Sequence, residues 1–128
     1  MTKIFVDTDV LIDYSKGRSR SFEKLLDKQL KGKLELFINP VVVAEFMTDK
    51  NLKDKEKLSK ALEFLGLFQT LDLGKNAGVI AGDLLREQKT SFIGDALIAA
   101  NCLNSKLQLA TNNKKHFSKI TQLVLYPS

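Results

Sequence analysis

The sequence predicts an α/β fold, a short parallel sheet with helices on both faces. Short apolar runs alternate along the chain with stretches of helical periodicity, the order that a parallel sheet with crossover helices requires. The 128 residues suit one core and predict a single domain over 1–128. A hydrophobic share of 44% against 27% charged residues is the balance of a globule, not of a disordered chain.

Lys3 to Val6 reads as a short buried strand that ends at Asp7. Thr8 to Tyr14 fits a helix, because Val10, Leu11 and Tyr14 share one face, and Gly17 breaks it. Ser19 or Ser21 caps a second helix to about Lys31, with Phe22, Leu25, Leu26 and Leu30 as its stripe and Gly32 as its stop. Leu34 to Ile38 is the second strand. Asn39-Pro40 starts a helix, since Asn accepts from free N–H groups and Pro suits the first helical position. That helix runs from Val41 to about Thr48 and is apolar nearly all round. Asp54 opens a charged amphipathic helix to about Leu65, with Leu58, Ala61, Leu62 and Leu65 facing inward. Gln69 to Leu73 is a weak strand. Lys75 to Lys89 is helical on Ala77, Ile80, Ala81, Leu84 and Leu85. Ile93 to Asn104 is the next helix, Leu107 to Ala110 a strand, and Gln122 to Tyr126 a last short strand.

No charge-free stretch approaches the ~20 residues needed to cross a bilayer. Met-Thr-Lys-Ile-Phe-Val runs straight into Asp7, leaving no room for the apolar core of a signal peptide. The expectation is a cytoplasmic protein without a membrane partner. A lone cysteine, Cys102, and a lone histidine, His116, exclude a disulfide framework and Cys- or His-rich metal sites. Any metal is held mainly by oxygen, and Cys102, flanked by apolar helix residues, is core filling.

Lys and Arg number 20 against 15 acids, for a net +5. After Asp95 there is no acid at all, while Lys106, Lys114, Lys115, His116 and Lys119 follow. A second basic run spans Lys16, Arg18, Arg20, Lys24, Lys28, Lys31 and Lys33. Both runs read either as solvated faces or as a surface that meets phosphates.

The informative acids are those embedded in apolar sequence. Asp7 follows Ile4-Phe5-Val6, Glu45 lies in Val41-Val42-Val43-Ala44-Glu45-Phe46-Met47, and Asp95 lies in Phe92-Ile93-Gly94-Asp95-Ala96-Leu97-Ile98. Each has an ordinary explanation beside the functional one. Asp7 suits a helix cap, and Asp95 sits in a first turn, where the helix dipole favours an acid. Glu45 is mid-helix on an apolar element, where a carboxylate is expensive unless a buried Lys or Arg meets it. Taken together they point to chemistry. Carboxylates gathered in one pocket repel unless a cation sits among them, and oxygen ligands select Mg²⁺ or Mn²⁺, which suits phosphoryl chemistry. Sites of such sheets form at the C-terminal strand ends, where Asp7 and Thr111 both lie.

The blocks Phe5-Val6-Asp7-Thr8-Asp9-Val10-Leu11-Ile12-Asp13-Tyr14, Val43-Ala44-Glu45-Phe46, Gly94-Asp95-Ala96-Leu97-Ile98-Ala99-Ala100 and Ala110-Thr111-Asn112-Asn113-Lys114-Lys115-His116-Phe117 resemble the PIN domain. More narrowly, they resemble the VapC-like ribonuclease toxins of bacterial toxin–antitoxin pairs, over essentially the whole chain and in that family's order. The resemblance implies a three-layer α/β/α sandwich around a short central parallel sheet and an acidic pocket that binds Mg²⁺ or Mn²⁺. It makes Asp7, Glu45 and Asp95 the catalytic, metal-holding acids, with Thr8 or Thr111 supplying a hydroxyl near the metal or its waters. Asn113 stands where many PIN domains have Asp; it ligates through its amide oxygen without adding charge, which implies one tightly held ion and a second recruited by RNA. Asp9, where the family often has Asn or Ser, is either an extra acid beside the pocket or a helix-start acid. His116, where relatives often have an acid, touches a phosphate or caps a helix end.

The implied activity is metal-dependent cleavage of RNA, with Lys16, Arg18, Lys114, Lys115 and His116 holding the RNA backbone. The implied partners are a small cognate antitoxin that covers the pocket and a second copy in a homodimer. The alternatives are a PIN-like processing nuclease that is not a toxin, a non-catalytic RNA-binding or regulatory module, and a signalling module that accepts phosphate on Asp. The last requires an acceptor Asp after the central strand, where this chain has Asn39-Pro40. Gly74-Lys75-Asn76 is not a phosphate loop, because the flanking Gly and Ser/Thr are missing. Gly74, Gly78 and Gly82 share a helix face and suit close helix packing, inside the fold or at a dimer contact. Tyr14, beside Lys16 and Arg18, is either a base-stacking ring or an ordinary half-buried tyrosine.

Overall fold

A computed structural model describes residues 1–127. Strand β1 (Thr2–Val6) leads into α1 (Thr8–Ser15) and α2 (Ser21–Leu30). Strand β2 (Leu34–Ile38) is followed by α3 (Pro40–Phe46), a 3₁₀ turn at Lys50–Lys53, and α4 (Lys55–Leu65). Strand β3 (Gln69–Thr70), α5 (Lys75–Arg86), α6 (Ile93–Ser105), β4 (Gln108–Ala110) and α7 (Lys114–Phe117) complete it. The four strands pair in the order β3-β2-β1-β4, all parallel, with helices flanking the sheet.

The central stretches of β1, β2 and β4 are apolar because the sheet is covered there: Ile4, Phe5, Val6, Leu36, Ile38 and Leu109 are fully buried, whereas the edge strand β3 is polar and exposed. Parallel pairing places the ends of β1, β2 and β4 side by side, so Asp7, Asn39 and Thr111 emerge together. Asn39 is wholly buried there. Its carbonyl oxygen accepts from Val42 N at 3.1 Å as the cap of α3, and its amide donates to Asn101 Oδ1 at 2.7 Å. Asn101 in turn donates to the Asp72 carbonyl at 3.2 Å, so the end of β2 is tied to α6.

Helix stops follow the left-handed residues. Gly17 and Gly32, both at φ +72°, close α1 and α2, and Lys33 N reaches back to the Lys28 carbonyl at 2.9 Å. The same closure ends α5 without glycine: Gln88 takes φ +58° and Lys89 N donates to the Leu84 carbonyl at 2.9 Å. The helix expected to Lys89 therefore stops at Arg86, and Gln88 to Phe92 form a loop. Ser19, rather than Ser21, faces the start of α2, accepting from Phe22 N at 3.4 Å.

Several expectations are corrected. Gln122 to Tyr126 is not a full strand but a single parallel bridge, Leu109 to Leu125, because β4 offers only the three residues Gln108–Ala110. β3 pairs only over Gln69–Thr70, since its partner β2 ends at Ile38. α3 ends at Phe46, short of Thr48. Leu30 and Leu62 lie outside the inward stripes, 83% and 54% exposed, and on α4 Phe64 packs against the core instead. The face of Gly74, Gly78 and Gly82 does not pack inside the fold, for a Cβ on any of them meets nothing within 4 Å. α5 instead lies on α6 through Ala77, Ala81, Ala96 and Ala100. Cys102 is buried in the core as expected, and burial pushes its thiol pKa up. Tyr14 is half-buried and stacked on Phe64, with Phe22 edge-on to its ring, so it serves the aromatic core rather than a free base platform.

Candidate functional site

Asp7 is the first residue beyond β1, and its N–H donates to the Ala110 carbonyl at 2.9 Å, pinning it to the end of β4. Only 6% of it is exposed. One carboxylate oxygen accepts from Thr8 N at 2.7 Å and the other from the Thr111 hydroxyl at 2.8 Å. These bonds favour the ionised form, yet the pKa is pushed up to about 7: burial raises it most, Asp9 adds to this, and Asp95 contributes a smaller share. Asp9, in the first turn of α1, is likewise shifted upward by burial, with Asp13 and Asp95 raising it further and the Asn112 and Val10 amides opposing. Asp7, Asp9 and Asp95 thus share one electrostatic pocket. Asp9 is both a first-turn acid of α1 and a like-charged neighbour of Asp7.

Glu45 reaches in from α3. It is exposed, so the expectation of a deeply buried mid-helix acid is corrected: α3 buries Val42 and leaves Glu45 on its open side. Its Oε1 accepts from the Thr8 hydroxyl at 2.6 Å. Its Oε2 stands against the first turn of α6, where a Cβ on Gly94 would lie 3.6 Å away. Asp95 occupies that first turn, and its Oδ2 is 3.0 Å from His116 Nδ1. His116 is therefore not a helix cap; its ring stands beside a pocket acid, and Asn113 Nδ2 lies 3.2 Å from the same nitrogen.

Thr8 and Thr111 are both buried, and each hydroxyl donates to a carboxylate: Thr8 to Glu45 and Thr111 to Asp7. Thr111 also accepts from Asn113 N at 3.0 Å. The sheet end thus brings together Asp7, Thr8, Glu45, Asp95, Thr111, Asn113 and His116. Lys114 and Lys115 follow on α7, exposed beside the pocket. Arg18 makes an exposed ion pair with Asp13 at 3.1 Å, and Lys16 lines the groove alongside the pocket.

Asp13 and Asn112 lie inside the motif blocks, which assign neither of them a role. Asn112 donates to Asp13 Oδ2 at 2.9 Å, and its backbone N–H points to Asp9 at 3.4 Å, so the loop after β4 is held on the acidic face of α1. The signal for it in the sequence is the spacing of Asp9 and Asp13, which share a helix face.

Among the described residues, no three His, Cys, Asp or Glu side chains stand as a formed metal cluster. The donor chemistry nonetheless fits a hard divalent cation. The pocket is lined by oxygen, and Asp7 is an acid buried with like-charged neighbours, the condition that a cation relieves.

A groove of about 670 Å³ runs alongside, walled by Tyr14, Phe46, Leu52 and Phe64 with Lys16, Lys57 and Lys60. Glu45 belongs to both groove and acidic pocket. Among the described residues no helix is long and apolar enough to cross a membrane.

The sequence profile of the PIN domain matches residues 4–123. The chain is 30% identical to a ribonuclease VapC of Rickettsia bellii over 94% of its own length and 92% of the relative's. It is also 30% identical to ribonuclease VapC10 of Mycobacterium tuberculosis, over 94% and 90% of the two chains. In structure it is similar to a chain of VapBC2 from Rickettsia felis bound to a promoter DNA fragment, with a TM-score of 0.79, 22% identity and 98% of each chain covered. A chain of DNA-bound VapBC from Salmonella typhimurium gives a TM-score of 0.80 at 21% identity, again over 98% of each.

Proposed function

The chain belongs to the PIN domain family, in its VapC-like branch, and on that premise we propose that it is an endoribonuclease and the toxin half of a toxin–antitoxin pair. The observation that carries the reading is Asp7: a carboxylate 6% exposed, held by two hydrogen bonds and facing Asp9 and Asp95, placed where a parallel sheet gathers its strand ends.

Asp7, Glu45 and Asp95 would hold Mg²⁺ or Mn²⁺, with Asn113 beside them through its amide oxygen. Such an ion, when bound, supplies the positive charge that polarises a phosphodiester and steadies the oxygen that leaves. The chain's own residues set the geometry. Thr111 fixes the Asp7 carboxylate, Thr8 links Asp7 to Glu45 by its amide and its hydroxyl, and His116 orients Asp95. Lys114 and Lys115 hold the RNA backbone beside the acids, and Lys16 extends that charge along the groove.

The groove is the surface for the antitoxin. It is apolar enough to anchor a partner segment, and through Glu45 it opens onto the acidic pocket, so a chain lying in it blocks the site. The open glycine face of α5, with Val79 55% exposed beside it, is the surface for a second copy. The whole acts as a single nuclease unit in the cytoplasm.

Cleavage of a mixed cellular RNA pool tests this reading, run with Mg²⁺, with Mn²⁺ and with EDTA, beside Asp7→Asn. Discrete cuts that vanish with EDTA and in the variant are expected. A folded protein that neither cuts RNA nor binds Mg²⁺ or Mn²⁺ by calorimetry, even with RNA present, overturns it.

A further inference from the structure

A second cleft, of about 180 Å³, adjoins the acidic pocket through His116, which lines the cleft while its Nδ1 meets Asp95. Its walls differ from those of the pocket. Lys89, Lys115 and Lys119 contribute to them, and no Asp or Glu does among the described residues. The left-handed turn at Gln88 makes the cleft possible, because it ends α5 early and turns Lys89 and Thr90 into the wall. Phe92 is 57% exposed, with its ring centroid 5.4 Å from that of His116 and the planes inclined by 33°.

Packing within the fold does not account for Thr90. It is 7% exposed, and its hydroxyl is the buried side-chain polar atom without a hydrogen-bond partner among the described residues. A buried unpaired hydroxyl is destabilising, and native structures keep few of them. Thr90 lies in the wall of the cleft, between Lys89 and Ser91 and beside Phe92.

Resting on the ribonuclease reading above, we propose that this cleft is the subsite for a nucleotide neighbouring the scissile phosphate of single-stranded RNA. The base lies on the Phe92 ring, edged by His116. The adjoining phosphate meets Lys89, Lys115 and Lys119, and the Thr90 hydroxyl donates to the same nucleotide. An unpaired strand is required, because only a splayed base presents its face to an aromatic side chain. His116 then has two neighbours and two distinct roles: its nitrogen orients Asp95, and its ring borders the neighbouring base.

The test titrates the full chain, in EDTA so that RNA stays intact, against a short fluorescent oligoribonucleotide pool of random sequence at low and physiological salt. Phe92→Ala is expected to weaken binding about tenfold with the salt slope unchanged, since stacking is sequence-tolerant and carries no net charge. Phe92→Trp is expected to keep wild-type affinity. Lys89→Ala with Lys119→Ala is expected to weaken binding and flatten the slope by about 0.7 for each phosphate no longer neutralised. Thr90→Val is expected to weaken binding about threefold without lowering the melting temperature, because the hydroxyl has no partner in the fold. Unchanged affinity and slope in Phe92→Ala and in the lysine pair, with a wild type that binds and cuts RNA, overturns the subsite alone. A wild type that neither binds nor cuts RNA overturns the ribonuclease reading, and the subsite with it.

Discussion

The two halves of the acidic pocket are built differently. On one side Asp7 is 6% exposed, and both of its oxygens are engaged by groups that are themselves buried or pinned to the sheet. On the other, the Asp95 side chain is 19% exposed and is met by a His116 side chain that is 40% exposed on a short helix. Burial makes the first half rigid and electrostatically costly. Exposure leaves the second half cheap and responsive to what binds. On the proposed reading, Asp7 and Asp95 both hold the metal, and the His116–Phe92 edge of the pocket is where the neighbouring nucleotide is met.

Asp7→Asn breaks the comparison most severely. Cleavage is expected to fall at least a hundredfold, roughly the scale of removing one preorganised electrostatic group, as read by initial rates on the RNA pool. Stability moves the other way. The Asp7 pKa is about 7 in the folded chain against an ordinary 3.8, so its proton is held more tightly when folded. The stability this contributes is full below pH 3.8 and lost as pH rises through about 7. In EDTA, Asp7→Asn is expected to be more stable than wild type at pH 8 by on the order of 4 kcal/mol and to match it near pH 4. Adding Mg²⁺ should close that gap by stabilising wild type alone, and a gap independent of pH would remove Asp7 as its source.

Thr111→Val sharpens the same side. It removes a buried hydrogen bond to the Asp7 carboxylate and the acceptor for Asn113 N. A destabilisation of about 1–3 kcal/mol is expected at pH 8, with a smaller one near pH 5, where Asp7 is protonated and leans less on the hydroxyl. Denaturant melts at the two pH values check it. On the exposed side the effects are smaller. His116→Ala is expected to lower cleavage about tenfold or less and leave the melting temperature within a degree or two, because the His116 ring is itself exposed. Lys114→Ala with Lys115→Ala is expected to weaken RNA binding and reduce the salt slope by roughly 0.7 for each phosphate left unneutralised, with little change in stability.

The same division explains how much the sequence makes legible. The buried half is legible: Asp7 ends an apolar strand and Thr111 follows another, so strand patterning alone places both at the sheet's C-terminal ends. The exposed half is harder. His116 beside Asp95 brings α7 against the start of α6, and no periodicity encodes that meeting. The Gln88 turn is hidden because the apolar stripe of α5 points past it, and a left-handed residue other than glycine carries no signature. Glu45 differs from its expected burial because an apolar sequence around an acid does not say which side of a short helix meets the core.

By itself the sequence determined the two central strands, because Ile4-Phe5-Val6 and Leu34 to Ile38 are short apolar runs of the kind that a covered parallel sheet buries. It determined the acids and the exclusion of Cys- or His-rich metal sites, and the stop signals at Gly17 and Gly32, whose backbones take angles that favour glycine. Tertiary structure decided which side chains meet: Thr8 with Glu45, Thr111 with Asp7, His116 with Asp95, and the lysines with Phe92 around Thr90. Patterning reports local preference and burial, which are properties of a few neighbouring residues. Those meetings join residues up to 104 positions apart, and only the closing of the sheet sets their distance.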